Sequence, residues 1–90
     1  MNYLIKKNYD SIVSRGLIDR STPPRAFVMK LEEEVQEFID AFKNAGENER
    51  EELADVILVC LNIAAHYGWD IESELFKKVA INEQRSLSLL

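Results

Sequence analysis

The sequence has little of what stabilises or anchors several common classes of protein. Its single cysteine, Cys60, cannot form an intrachain disulfide, so we predict a buried thiol and a reducing, cytoplasmic compartment. Three glycines and two prolines in 90 residues are too few for a loop-rich or disordered chain. The longest apolar run, residues 56–65 interrupted by Asn62, is far shorter than a membrane span. We therefore expect no membrane association and a single domain over residues 1–90.

Basic residues are also scarce relative to acidic ones. Eleven lysines and arginines stand against 16 aspartates and glutamates, which gives a net charge of −5. A nucleic-acid groove requires a clustered basic surface that neutralises phosphates, so this balance argues against a nucleic-acid polymer as a partner. A ligand that carries phosphates would have to arrive with its own cation.

Apolar residues recur at helical spacing in four segments, which predicts an all-α fold. The predicted helices are, in chain order, about Asn2 to Ser14, Thr22 to Ala45, Glu47 to Gly68 and Asp70 to Ser86. Thr22 and Asp70 are predicted N-caps, with prolines in the first turn after Thr22. Gly16, Gly46 and Gly68 are the predicted helix stops.

The third predicted helix is apolar almost all the way round. Its polar residues form one narrow stripe, made of Glu51, Glu52, Asp55, Asn62 and His66. We therefore expect this helix to be central and mostly buried. Four helices of one chain cannot cover it completely, so we predict a homodimer or homotetramer in which a second copy completes the four-helix bundle.

Four carboxylates lie on this polar stripe and on the helix before it. Glu34 and Glu37 are three residues apart, as are Glu52 and Asp55, so each pair projects from one helix face. Two antiparallel helices would aim all four at one point. Like charges this close repel one another unless a cation or a proton compensates them, and hard oxygen donors suit Mg²⁺, Mn²⁺ or Ca²⁺. The pattern therefore predicts a magnesium site.

Other interpretations of these residues stay open at this point. Acidic runs such as residues 32–34 and 49–52 are usually solvated helix surface with partners one turn away. A di-iron carboxylate bundle would use Glu-x-x-His pairs, but the residue three before the single histidine, His66, is Ile63. His66 has no thiol or hydroxyl partner in a recognisable motif either, which argues against a nucleophilic triad.

Two acidic motifs and the segment after them resemble a known family. The motifs are EExxE at Glu33, Glu34 and Glu37 and, after a 14-residue gap, ExxD at Glu52 and Asp55. Residues 77–85, with Lys78, Asn82 and Arg85, are similar to the fourth helix of that family. Together, over roughly residues 27–85, they resemble the MazG-like nucleotide pyrophosphohydrolases of the all-α NTP pyrophosphatase superfamily.

The resemblance implies hydrolysis of an NTP or dNTP between its α and β phosphates, giving a nucleoside monophosphate and pyrophosphate. Removal of surplus or non-standard nucleotides would be its use. The implied metal ligands are Glu34, Glu37, Glu52 and Asp55. Glu33 would assist the metal site or orient the attacking water, although it projects about 100° away from Glu34 and can instead reach a basic residue or solvent.

Basic and amide residues on the second and fourth helices are candidates for substrate binding. Lys30 lies one turn before Glu34, where it suits either a substrate phosphate or an ordinary ion pair with Glu34. Lys78, Asn82 and Arg85 are spaced to share one helix face and could contact phosphates or sugar. Cations near a helix C-terminus also favour the helix dipole without any ligand.

Two further functions are compatible with the sequence. Phosphoribosyl-ATP pyrophosphohydrolase is a relative of similar length and motif spacing, but the extended first helix and the Lys78, Asn82 and Arg85 run disfavour it. A non-catalytic helical dimer that acts as a partner or regulator would keep the fold without turnover. The presence of all four predicted metal ligands argues against this last possibility, although carboxylates alone do not establish catalysis.

Overall fold

Four α-helices make up nearly all of the computed structural model, which describes residues 2–44 and 46–88. They are α1 (Asn2–Ser14), α2 (Pro24–Lys43), α3 (Glu49–Tyr67) and α4 (Ile71–Ser88). The predicted all-α fold is therefore confirmed. Within the described ranges, no helix combines the length and the apolar character that crossing a bilayer requires.

The junction between α3 and α4 follows its local sequence signals. Gly68 has a φ of 69°, and this left-handed residue turns the chain so that the Trp69 N–H donates to the Ala64 carbonyl at 2.9 Å. Two residues later, the Asp70 carboxylate accepts the Ser73 N–H at 3.1 Å and so caps α4. The predictions for Gly68 and Asp70 are confirmed.

We expect the backbone at Gly68 to make a measurable contribution to stability. Gly68→Ala places a Cβ on a left-handed residue and should lower the free energy of unfolding by about 1–2 kcal/mol. Gly68→Asn should cost less, because asparagine tolerates this conformation better than alanine. Urea unfolding of the three proteins measures the difference, and equal stability of the alanine and asparagine variants would contradict the assignment.

The start of α2 differs from the prediction. Pro23, and not Thr22, occupies the N-cap position, and it makes no side-chain capping bond. The Thr22 hydroxyl is used in the preceding loop instead, where it accepts the Asp19 N–H at 2.9 Å. Prolines do begin the helix as predicted, because a missing N–H costs nothing in the first turn.

The end of α2 lies slightly before the predicted one. The helix stops at Lys43, and the Gly46 N–H then donates to the Ala41 carbonyl at 3.0 Å, which closes the C-terminal turn. Ala45, the predicted last residue, lies outside the described residues. Gly46 therefore follows the end of the helix, as predicted, at a distance of three residues.

α3 is the central helix, since it packs against both α2 and α1. Its contact with α2 forms a small apolar core, whose buried members are Phe27, Val59, Leu61 and Ala64. Two polar pairs join α1 to α3: the Asn8 amide donates to Asn62 Oδ1 at 2.7 Å, and the Tyr9 hydroxyl lies 3.0 Å from His66 Nδ1. Asn62 and His66 of the polar stripe thus face α1.

Two predictions about α3 are wrong for the single chain. The helix is not mostly buried, because Leu53 and Ile57 are about half exposed, and the Cys60 thiol is exposed rather than buried. These three residues follow one another at spacings of four and three and form a stripe along the outer side of α3. Two neighbouring helices cover only one side of α3, so this apolar stripe remains in solvent.

Candidate active site

The antiparallel pairing of α2 and α3 brings the two acidic motifs together. One carboxylate oxygen each from Glu34, Glu52 and Asp55 lies within 4.8 Å of the others. Glu34 also belongs to a second group at the same separation, with Glu33 and Glu37 of its own helix. We call these five residues the acidic cluster, and Glu34, which is 7% exposed, is the member common to both groups.

Neighbouring side chains hold one oxygen of each central carboxylate and leave the other without a partner. Glu34 Oε1 accepts Lys30 Nζ at 2.9 Å, and Glu52 Oε1 accepts the Asn48 amide at 3.1 Å. The second oxygens, Glu34 Oε2 and Glu52 Oε2, are buried and have no hydrogen-bond partner among the described residues. A buried carboxylate oxygen without a partner is unfavourable, so both positions favour a cation.

The donor set fits a hard divalent cation. Several carboxylate oxygens from two helices converge within 4.8 Å, and the Lys30 and Asn48 contacts fix the orientation of two of the carboxylates. Fixing a ligand through its second oxygen is a common feature of metal sites in proteins. The acidic cluster is therefore able to hold a metal ion.

Crowding of negative charge is evident at Glu37. The charge of Glu34 raises the pKa of the Glu37 carboxyl above its ordinary value, and desolvation and the charges of Glu52 and Glu33 add to the effect. A raised carboxyl pKa means that the folded protein binds this proton more tightly than the unfolded chain does. The folded state therefore loses stability as the pH rises through the raised pKa.

This sign predicts a pH-dependent effect of Glu37→Gln on the EDTA-treated protein. At pH 7 the variant should melt at a higher temperature than the parent, because one repelling charge is gone. At a pH below the ordinary carboxyl pKa of 4.5 the difference should disappear, since Glu37 is then protonated in both states. Glu32→Gln, an exposed neighbour outside the acidic cluster, is the control. A gain of equal size at both pH values would contradict the prediction.

Lys30 and Glu33 lie at the rim of the cluster. Besides its bond to Glu34, Lys30 Nζ is 3.7 Å from Glu33 Oε1, and both side chains are more than half exposed. The hydrogen bond to Glu34, together with the charges of Glu34, Glu33 and Glu37, raises the pKa of the Lys30 ammonium. The structure thus contains the ordinary ion pair at Lys30, while leaving the ammonium accessible to a ligand.

The three candidate residues of α4 lie apart from the acidic cluster. α4 makes no extensive packing contact with the other described helices, and Lys78, Asn82 and Arg85 are exposed. Contacts within one chain therefore do not bring these three side chains to the carboxylates. Whether a helix packs on its own chain or on another copy is not encoded in its local pattern.

A cavity of about 560 Å³ opens beside the acidic cluster, between α1 and the α2–α3 pair. Glu34, Asp55 and Lys30 contribute to its wall, and so do the hydrogen-bonded Asn8 and Asn62. One signal for this cavity is visible in the sequence, namely the interruption of the apolar run of α3 by Asn62. The contribution of α1, and the role of Asn48 in holding Glu52, had no signal that the motifs could reveal.

Comparison with known proteins adds one finding to this geometry. The family model described as the MazG nucleotide pyrophosphohydrolase domain matches residues 23–86, which include the acidic cluster and most of α4. Searches of curated proteins and of solved structures give no match.

Proposed function

The chain belongs to the MazG nucleotide pyrophosphohydrolase family, and we propose that it hydrolyses nucleoside triphosphates, NTPs or dNTPs, to a nucleoside monophosphate and pyrophosphate. The observation that carries the proposal is the pair of buried, unpartnered oxygens on Glu34 and Glu52 beside the Asp55 carboxylate. Such oxygens favour a divalent cation, and a cation is what an acidic protein needs to bind a polyphosphate.

We assign the metal ligands as Glu34, Glu37, Glu52 and Asp55, and Mg²⁺ as the ion, with Mn²⁺ as a substitute. When bound, a divalent ion of this kind neutralises charge on phosphate oxygens and makes water a better nucleophile. Lys30 and Asn48 would keep the carboxylates of Glu34 and Glu52 oriented toward the ion through their other oxygens.

Lys30 and Glu33 would act at the rim of the site. The exposed ammonium of Lys30 is free to exchange part of its interaction with Glu33, at 3.7 Å, for a substrate phosphate. Glu33 would then accept a proton from the attacking water or orient it. This division leaves the buried oxygens to the ion and the exposed groups to the substrate.

Lys78, Asn82 and Arg85 would contribute to substrate binding only in an assembly. Because α4 makes no extensive packing contact with the acidic cluster of its own chain, we propose that these residues serve the site of a second copy. A homodimer or homotetramer would then supply the cations that the acidic cluster lacks.

Pyrophosphate release from a panel of NTPs and dNTPs, with Mg²⁺ and with EDTA, tests the proposal. We expect metal-dependent release that is lost in Glu37→Gln, which also controls for contaminating activity. Phosphoribosyl-ATP belongs in the same panel, since release from it alone would replace the substrate class proposed here. A folded protein that releases no pyrophosphate from any of these compounds would overturn the proposed activity and favour a non-catalytic role.

A further inference from the structure

We propose that the cavity between α1 and the α2–α3 pair binds the nucleoside, and that the Asn8–Asn62 amide pair reads the edge of its base. This inference rests on the proposed function and adds the residues that choose among nucleotides. The wall of this cavity contains both the carboxylates of Glu34 and Asp55 and the two amides. A substrate whose phosphates lie at the acidic cluster would have its remaining atoms in this space.

The two asparagines present complementary hydrogen-bonding groups. Asn8 Nδ2 donates to Asn62 Oδ1 at 2.7 Å, which uses one donor and one acceptor. The Asn62 amide N–H₂ and the Asn8 carbonyl oxygen have no partner among the described residues, although Asn62 is only 8% exposed. One amide donor and one amide acceptor, on two hydrogen-bonded side chains, are the groups needed to pair with the acceptor and donor that a nucleobase presents on its edge.

The spacing along α3 suits this arrangement. Asn62 follows Asp55 by seven residues, so its Cα lies about 10 Å further along the helix, two turns away on the same side. A nucleotide bridges a gap of this order between its phosphates and its base. Phe27 and Val59, both buried core residues, also line the cavity and give the ring an apolar surface.

A polar pair that only joined α1 to α3 would have a different signature. Replacement of Asn62 would then lower the stability of the protein and weaken the binding of all nucleotides alike. A pair that reads the base instead changes the ratios between bases, because each hydrogen-bonded base contact is worth roughly five- to hundredfold in discrimination. The ratio of affinities is therefore the informative measurement.

Binding of AMP, GMP, CMP and UMP to the protein in the presence of Mg²⁺, with ribose 5-phosphate as the probe that lacks a base, tests the proposal without turnover, because none of these ligands is a triphosphate. We expect the wild type to prefer at least one monophosphate over ribose 5-phosphate. Asn8→Ala and Asn62→Ala should each reduce that preference about tenfold or more. Asn2→Ala, on α1 but away from this cavity, should preserve it. A wild type without preference, or a preference that survives both cavity variants, would overturn the proposal.

A further variant keeps the test decisive if the asparagine variants fail to fold. Ala26 lines the cavity from the exposed first turn of α2, and Ala26→Phe would place a ring in this space while both asparagines are kept. We expect this variant to bind all four monophosphates more weakly, while Mn²⁺ binding to the acidic cluster stays unchanged. Unaltered monophosphate binding in Ala26→Phe would contradict the location. Absence of pyrophosphate release from the wild type, with its base preference intact, would overturn the proposed activity and not the nucleoside site.

Discussion

Glu34→Gln and Asp55→Asn are expected to lower kcat/KM for pyrophosphate release at least about hundredfold. Both changes keep the shape of the side chain and remove the charge that a divalent cation requires. Residues that merely hold metal ligands in place typically contribute ten- to hundredfold, so loss of a ligand should cost no less. Glu34 should be the more sensitive position, because it is buried and belongs to both carboxylate groups.

Further variants are needed to distinguish loss of metal binding from loss of folding. Asn48→Ala removes the amide that holds Glu52 Oε1 and should cost about ten- to hundredfold, less than loss of a carboxylate. Glu32→Gln removes an exposed charge on the same helix and should behave as the wild type. Mn²⁺ affinity, measured by calorimetry, should fall in the same order as activity. Activity of Glu34→Gln within threefold of the wild type would remove Glu34 from the metal site.

The sequence contained enough to locate the acidic cluster, for a physical reason. Side chains three residues apart share a helix face, and an antiparallel pair of helices must bring two such faces together if their apolar sides pack. The structure joins Glu34, Glu52 and Asp55 in this way. The roles of these residues in catalysis stay predictions that the variants above decide.

Which side of α3 packs on its neighbours and which side faces solvent could not be predicted in the same way. A helix that is apolar almost all round gives no direction for its polar stripe, and we expected a helix that is mostly buried. In the structure, Asn62 and His66 face α1, and the apolar residues Leu53 and Ile57 face solvent. Hydrogen bonds to Asn8 and Tyr9 fix this orientation, and they depend on a helix more than 50 residues away in the chain.

The shape and the accessible surface of the single chain indicate that a partner covers part of its surface. Its radius of gyration is 15.7 Å, whereas a compact domain of this length has about 12 Å. Its accessible surface is 7223 Å², against about 5,400 Å² for a compact monomer of 10.4 kDa. The excess of about 1,800 Å² is what one partner contributes to a large, obligate interface. We therefore retain a second copy of the chain as the predicted partner.

α4 carries the face on which this prediction is most easily tested. Phe76 is 71% exposed and Val79 is 54% exposed, and these two residues lie one turn apart on the same side of the helix. Large apolar side chains that lie side by side in solvent are characteristic of an interface. Because α4 makes no extensive contact with the rest of its own chain, replacing these residues should leave the monomer fold intact.

We expect the wild type to have at least twice the 10.4 kDa chain mass by light scattering at micromolar concentration, and Phe76→Ser with Val79→Ser to shift it to one chain mass. Glu74→Ser with Lys77→Ser, a polar exposed pair on the same helix, is the matched control and should stay assembled.

If the wild type itself has one chain mass, the predicted oligomer is wrong, and Lys78, Asn82 and Arg85 lose their route to the acidic cluster. If it assembles and the serine pair at residues 76 and 79 does not change its mass, the interface lies elsewhere, and the exposed α3 stripe, tested with Ile57→Ser, becomes the alternative. Loss of assembly should also lower pyrophosphate release, because Lys78 and Arg85, which we propose to bind phosphate in the site of a second copy, would then be missing from every site.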